Sequence, residues 1–246
     1  MANKFGMGWI KDPIDKRDYN VRQLLPPLKK VAVLPDNFTV YADTIIYDQG
    51  QTSKCVAYAS SGVKTDEEFL QWGQRYRFDA DWLYGECKKI DGIPMQDGTF
   101  PRCACQILQK KGDVLVASGS SSCCCFNKIV TPQPDLKWKI DSYYRIDVSN
   151  SDDDIKQILY QYGSFLAASS WYNNWFAKFD VFPMPSGVAG GGHCYRIIGW
   201  NAIGWLVANS WGTLLWGLQG IATMPYDIFR NSVLSEGDSW KLVDSV

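Results

Sequence analysis

The sequence predicts an α+β chain, on three observations. Helix signals gather in its first half, and apolar runs of strand length, parted by turn residues, gather in its second. The composition is that of a folded protein, with 46% hydrophobic and 14% aromatic residues over 246 positions, enough for one large domain or two small lobes.

Residues 1–33 read as a leader, because Gly8 to Tyr19 follows neither a helical nor a strand period and Pro26-Pro27 breaks what comes next. Val40 to Tyr47 leads into a turn at Gln49. A helix is predicted from near Ser53 to about Trp72, with Val56, Ala59, Val63, Phe69 and Leu70 turned to a core. Asp79 to Tyr84 gives an acidic start to a second helix that continues through Gly85 to Lys89. Met95 to Phe100 is a loop, and Arg102 to Lys111 a third helix closed by Gly112. Residues 113–136 read as a long crossing loop.

From Ile140 the pattern changes. Tyr143 to Val148 is predicted as a strand, and Ser149 to Asp154 caps a helix whose apolar face is Ile155, Ile158, Leu159 and Tyr162. Gly163 ends that helix. Ser164 to Ser170 returns as a strand, Trp171 to Phe176 forms an aromatic loop, and further strands lie around Cys194 to Trp200, Trp205 to Asn209 and Gly220 to Met224. Trp240 to Val243 is expected as a closing edge.

Charge and composition exclude several function classes. A net charge of -1, from 25 basic and 26 acidic residues, leaves no footprint for nucleic acid or for an anionic membrane surface. No apolar run reaches bilayer-spanning length, and Met1 to Gly6 does not lead into a signal-type core, so the compartment of synthesis is the expected location. Among eight cysteines, the run Cys123-Cys124-Cys125 is expected to hold free or adventitiously oxidised thiols, not a metal. Adjacent side chains diverge, and His193 is the sole histidine in the sequence. No cofactor is implied.

The chemistry-bearing residues are few. Cys55 opens the first helix, where unpaired backbone N–H groups and the helix dipole favour a thiolate. His193, preceded by Gly190-Gly191-Gly192, is the only imidazole available as its proton acceptor. Asn209, sixteen residues further on at the end of an apolar strand, can fix the ring's tautomer through its amide carbonyl.

With their neighbours these residues resemble three motifs of the papain family of cysteine peptidases, in its prokaryotic and viral branch. Gln49-Gly50, six residues before Cys55, resembles the oxyanion glutamine and nucleophile. Gly192-His193 resembles the histidine block, and Asn209-Ser210-Trp211-Gly212 the orienting asparagine with its shielding tryptophan. The resemblance covers about Leu34 to the C-terminus. It implies two lobes with a cleft between them: a mainly helical lobe over 34–136 that carries the nucleophile, and a sheet-rich, barrel-like antiparallel lobe over 137–246 that carries His193 and Asn209.

It implies further that Cys55, His193, Asn209 and Gln49 are catalytic, and that Gly98, Gly192 and Trp211 meet the substrate, a polypeptide hydrolysed through a thioester. Similar leaders precede members of that branch, and 1–33 is either a short pro-segment crossing the cleft or an extended arm on the surface anchored by Trp9 and Tyr19. The arm is the expected form, since pro-segments of the family are usually longer and helical. Thr52 stands where secreted members carry a disulfide cysteine, which suits a reducing compartment, cytoplasmic or within a virion.

Three positions depart from the family pattern. Lys54 replaces a small residue and could lower the Cys55 pKa or obstruct the cleft, Val56 replaces an aromatic, and Thr213 to Gly217 is one residue longer. A monomeric endopeptidase is the leading expectation, with a place in a virion or larger assembly open. Alternatives are a hydrolase of peptidoglycan stem peptides and a weakly active structural or peptide-binding protein.

Overall fold

The computed structural model describes residues 5–24, 31–40, 44–116, 135 and 138–244. Cys123, Cys124, Cys125 and most of the crossing loop lie outside them.

After the short strand β1 (Phe38–Thr39) come helices α1 (Cys55–Trp72), α2 (Ala80–Lys88) and α3 (Pro101–Lys111). Local chemistry sets their ends. The Asp79 carboxylate accepts the backbone N–H groups of Asp81 and Trp82, each at 3.0 Å, which starts α2. Pro101 opens α3, where its missing N–H is not needed. Gly73 closes α1 in the left-handed region, φ 64°, its N–H bonded to the Phe69 carbonyl.

Burial of α1 goes beyond its apolar stripe. Val56, Ala59 and Val63 are buried as predicted, but Leu70 is 49% exposed, while Lys64, Asp66, Glu67 and Glu68 are buried. Each buried charge has a partner: Lys64 pairs with Glu68 and Asp244, Lys241 with Glu67, and Arg196 with Asp66 at 2.7 Å. Gly62 makes room for the last pair, since a Cβ there would stand 2.6 Å from Arg196 Nε. Leaving one member of such a pair buried alone costs about 3–5 kcal/mol, so Arg196 fixes α1 against its strand.

The second half supplies strands β2 (Ser142–Ile146), β3 (Phe165–Tyr172), β4 (Ala189–Trp200), β5 (Gly204–Ala208), β6 (Ile221–Pro225) and β7 (Ser239–Val243), with helices α4 (Asp152–Tyr162) and α5 (Tyr226–Ser232). A reciprocal cap between Ser151 and Asp154 starts α4. The sheet is antiparallel in the order β2-β7-β3-β4-β5-β6, and β1 pairs with β4. β7 is therefore not an edge; it sits between β2 and β3. β3 also runs through Trp171 and Tyr172, which the sequence placed in a loop.

Alternation along β3 and β4 divides the core in two. Phe165, Ala167, Trp171, Tyr195 and Ile197 face an aromatic core with α4 and α5, whereas Leu166, Ala168 and Cys194 face a second core with Cys55, Val56 and helices α2 and α3. His193 shares the parity of Tyr195 and looks into the aromatic core, while Cys194 looks toward α1. One strand thus serves both sides of the site.

Candidate active site

Cys55 is the first residue of α1. Backbone N–H groups of Cys194, Gly8, Val56 and Cys55 itself point at its sulfur. The Cys194 N–H belongs to the peptide that joins it to His193, so the sulfur lies against the backbone of the histidine block. These donors favour a thiolate, but burial outweighs them and pushes the thiol up to about 12. A lowered pKa, expected from the helix start alone, is not what the closed molecule shows.

His193 is wholly buried, and its Nε2 lies 2.7 Å from Asn209 Oδ1. The Ser210 backbone N–H donates to the same oxygen at 2.7 Å, which identifies that atom as the acceptor. Nε2 must therefore carry the proton, and in the neutral ring Nδ1 keeps its lone pair. Nδ1 is buried without a hydrogen-bond partner. Burial lowers the imidazole to about 4, opposed by the Asn209 bond, so the ring is neutral. Trp211 stacks on it with centroids 4.5 Å apart, and Trp171 meets it edge-on at 4.9 Å. The shielding assigned to Trp211 is shared by Trp171, which the sequence gave no reason to single out.

Gln49 is held by its own neighbourhood. Its Oε1 accepts from Ser210 Oγ at 2.6 Å, its Nε2 donates to the Thr52 carbonyl at 2.7 Å, and Nε2 also reaches the Gly6 carbonyl at 3.3 Å. Ser210 thus positions both Asn209 and Gln49, a role the sequence left unread although the residue lies inside a recognised motif. Lys54 pairs with Asp81 at 2.9 Å and lies over the Tyr84 ring, and it is not among the largest influences on the thiol.

The leader is laid over Cys55 at its start, whereas Ile14 and Tyr19 further along it are 93% and 63% exposed, as a surface arm would be. Gly6 N–H donates to the Gly50 carbonyl at 3.3 Å, both Gly8 and Trp9 N–H groups donate to the Gly192 carbonyl at 3.1 Å, and residues 8–10 pair parallel with Thr99. An extended chain therefore crosses Cys55 from Gln49 to Thr99. Phe5 stacks on Trp211 at 4.3 Å. Trp9 is an anchor as predicted, its indole N–H on Asp238 Oδ2 at 2.5 Å, whereas the Tyr19 side chain is 63% exposed.

Gly98, Gly192 and Trp211 all meet this chain. A Cβ at Gly98 would lie 2.4 Å from the Gly8 carbonyl, and one at Gly192 2.5 Å from the Trp9 ring. Gly98 gives clearance only: its N–H bonds Tyr84 at 3.2 Å, and Thr99 makes the pairing. Arg102 N–H and its guanidinium bind Asp12 and Asp18 of the leader at 2.8 and 2.6 Å, contacts no motif announced.

No family model matches the chain. A cathepsin B-like cysteine proteinase of Schistosoma japonicum is 28% identical over 220 residues, 73% of this chain and 63% of that protein. Cathepsin B-like cysteine proteinase 3 of Caenorhabditis elegans is 38% identical over 77 residues, 29% of this chain and 21% of that one. The chain thus spans less than two thirds of the length of either. Among solved structures, xylellain, a cysteine protease from Xylella fastidiosa, matches with a TM-score of 0.78 at 23% identity, over 99% of this chain and 98% of its own. Procathepsin B S9 from Trypanosoma congolense matches with a TM-score of 0.71 at 21% identity, over 100% and 88%. The chain has the fold of the papain-like cysteine proteases, and its sequence is similar to cathepsin B-like members of that group.

Proposed function

We propose that this chain is a cysteine endopeptidase that acts on extended polypeptides and is closed by its own leader. The observation that carries the reading is the His193 ring: Asn209 holds Nε2 and leaves Nδ1 unpartnered beside the backbone that touches the Cys55 sulfur. Nδ1 takes the thiol proton as the sulfur attacks a peptide carbonyl, and the imidazolium returns it to the leaving amine as the C–N bond breaks. The oxyanion takes the place of the Gly6 carbonyl on Gln49 Nε2 and accepts the Cys55 backbone N–H, each such donor being worth roughly 3 kcal/mol. Water then hydrolyses the thioester. That a backbone-paired, extended chain already fills the cleft supports a polypeptide as the substrate.

We place the chain in the prokaryotic or viral branch, on Thr52 in place of the disulfide cysteine of secreted members, and read it as a monomer or a virion component working in a reducing compartment. Among the described residues no helix is long and apolar enough to cross a membrane.

The test is a quenched mixed-peptide library, offered at neutral pH under reducing conditions to the chain and to Cys55→Ala. Cleavage should fall by roughly 10⁴-fold or more in the variant. Equal cleavage by both would end the reading. Silence from both, with no labelling of Cys55 even after the leader is displaced, would favour a peptide-binding role; release of fragments from cell wall but not casein would redirect it to stem-peptide hydrolysis.

A further inference from the structure

Beyond the cleft, the leader carries Asp12 into a buried contact with Asp238, the residue that precedes β7. Asp12 is 4% and Asp238 0% exposed, and the two carboxyl groups are within hydrogen-bonding reach of each other. Two ionised carboxylates do not share such a site, so one of them holds a proton. The donors around the pair tell which. Asp238 receives the Trp9 indole N–H at 2.5 Å, the Asp12 backbone N–H at 3.0 Å and the Trp240 indole N–H at 3.1 Å, with Arg145 at 3.5 Å. Asp12 receives one donor, the Arg102 backbone N–H at 2.8 Å. Asp238 is thus furnished as the carboxylate and Asp12 as the acid.

We propose that the leader is latched over the cleft by this proton: Asp12 seats against Asp238 as a carboxylic acid, so the cleft is held shut in acid and released as the pH rises. The inference rests on the reading of the cleft as an active site only for its purpose, which is regulation of that site.

Charged and titratable groups around Asp12 come from every element packed against it: Asp238 before β7, Arg102, Cys103 and Cys105 on α3, and Arg145 on β2 by way of Asp238, with Asp15 and Asp18 of the leader acting on Arg102. The arginines oppose the effect and do not cancel it. Burial first, then the Asp238 charge, raises Asp12 to about 8, whereas a carboxyl in a free leader titrates near 3.9. The seated leader therefore keeps a proton that the free leader sheds. Docking is strongest below about pH 4 and weakens by at most about tenfold per unit until about pH 8, where the change is complete. Asp18, paired with both arginines, gives a hold that does not depend on this proton.

The experiment compares the full chain with Asp12→Asn, whose amide donates to Asp238 and accepts from Arg102 at any pH. Reaction of Cys55 with 4,4′-dithiodipyridine is followed by mass spectrometry from pH 5 to 8.5. Taking the ratio of wild-type to variant rates removes the reagent's and the thiol's own pH dependence. The ratio should rise at least tenfold across the range; a ratio constant within twofold overturns the proposal. Should Asp12→Asn not fold, deuterium uptake of residues 5–12 in the wild-type chain, relative to the same peptide free, decides alone: protection must fall as pH rises, and unchanged protection refutes the latch. Neither readout needs turnover, so an inactive protein would refute the peptidase reading and leave the latch to be judged on its own.

Discussion

The two ends of the leader are held by different physics. Residues 5–10 are fixed by backbone hydrogen bonds to Gly50, Gly192 and Thr99, with Phe5 and Trp9 as aromatic props, while residues 12–20 add to a backbone bond from Arg145 to the Tyr19 carbonyl two acidic side chains, Asp12 hydrogen-bonded at Asp238 and Asp18 paired with Arg102 and Arg145. Backbone pairing recognises any extended chain; the charged contacts recognise this one. The cleft end is therefore held by contacts that depend on backbone alone, and the outer end by contacts that depend on the leader's own side chains. The leader also presents an N–H, that of Gly8, to the Cys55 sulfur. An electrophilic carbonyl carbon is what the sulfur would need.

Breaking the cleft end has the largest expected effect. A Cβ at Gly8 would stand 2.0 Å from the Ser53 carbonyl oxygen, a contact that backbone on both sides cannot relieve. Gly8→Ala should raise the rate of Cys55 alkylation at pH 7 by about 100-fold, the equivalent of ~3 kcal/mol lost from docking. Lifting the leader returns water to the sulfur and brings the thiol down from about 12, so the alkylation-against-pH curve must move to lower pH; an unmoved curve would mean that the leader does not govern the thiol. Truncation is the poorer tool, because Val21 and Leu24 belong to the aromatic core and removing 1–33 would open it.

Breaking the charged end sharpens the comparison at a smaller scale. Asp18→Asn removes the carboxylate shared by Arg102 and Arg145 and should raise alkylation about tenfold, at ~1.5 kcal/mol for a charge-assisted contact. Added salt should reproduce part of this rise in the wild type and none of it in the variant, read by the same alkylation rates at low and high ionic strength. The smallest effect is expected at Lys54, which bonds Asp81 and not the sulfur. Lys54→Ala should leave the alkylation rate within about twofold once the leader is displaced by Gly8→Ala; a larger fall would show that the lysine acts on the thiolate after all.

Motif spacing made much of the site legible. Gln49, Cys55, His193 and Asn209 meet in one place, and the helix spans around Cys55, Asp79, Arg102 and Asp152 follow from caps, prolines and glycines that act within one turn. Other features escaped because their causes are distant in sequence. β7 reads as an edge but is inserted between β2 and β3, since the burial of Trp240 and Leu242 on one face and Lys241 on the other is decided by which strands accept them. Lys64, Glu67 and Glu68 lie off the apolar stripe predicted for α1, and are buried because Lys241 and Asp244 arrive from the far end of the chain. α5 went unread, its seven residues being too few to show a period. The leader's glycines carried no periodic signal, and their use appears only where the cleft backbone approaches them.

What the sequence by itself determined is the set of candidate groups: a cysteine at a helix start, one histidine, and an asparagine and a glutamine in motifs that the fold brings beside it. The state of those groups was decided by tertiary structure alone. Burial raises the Cys55 thiol and lowers the His193 imidazole, because desolvation is set by what covers a group and not by its neighbours in the chain, and Gly8 of the leader is among the groups that lie on the sulfur.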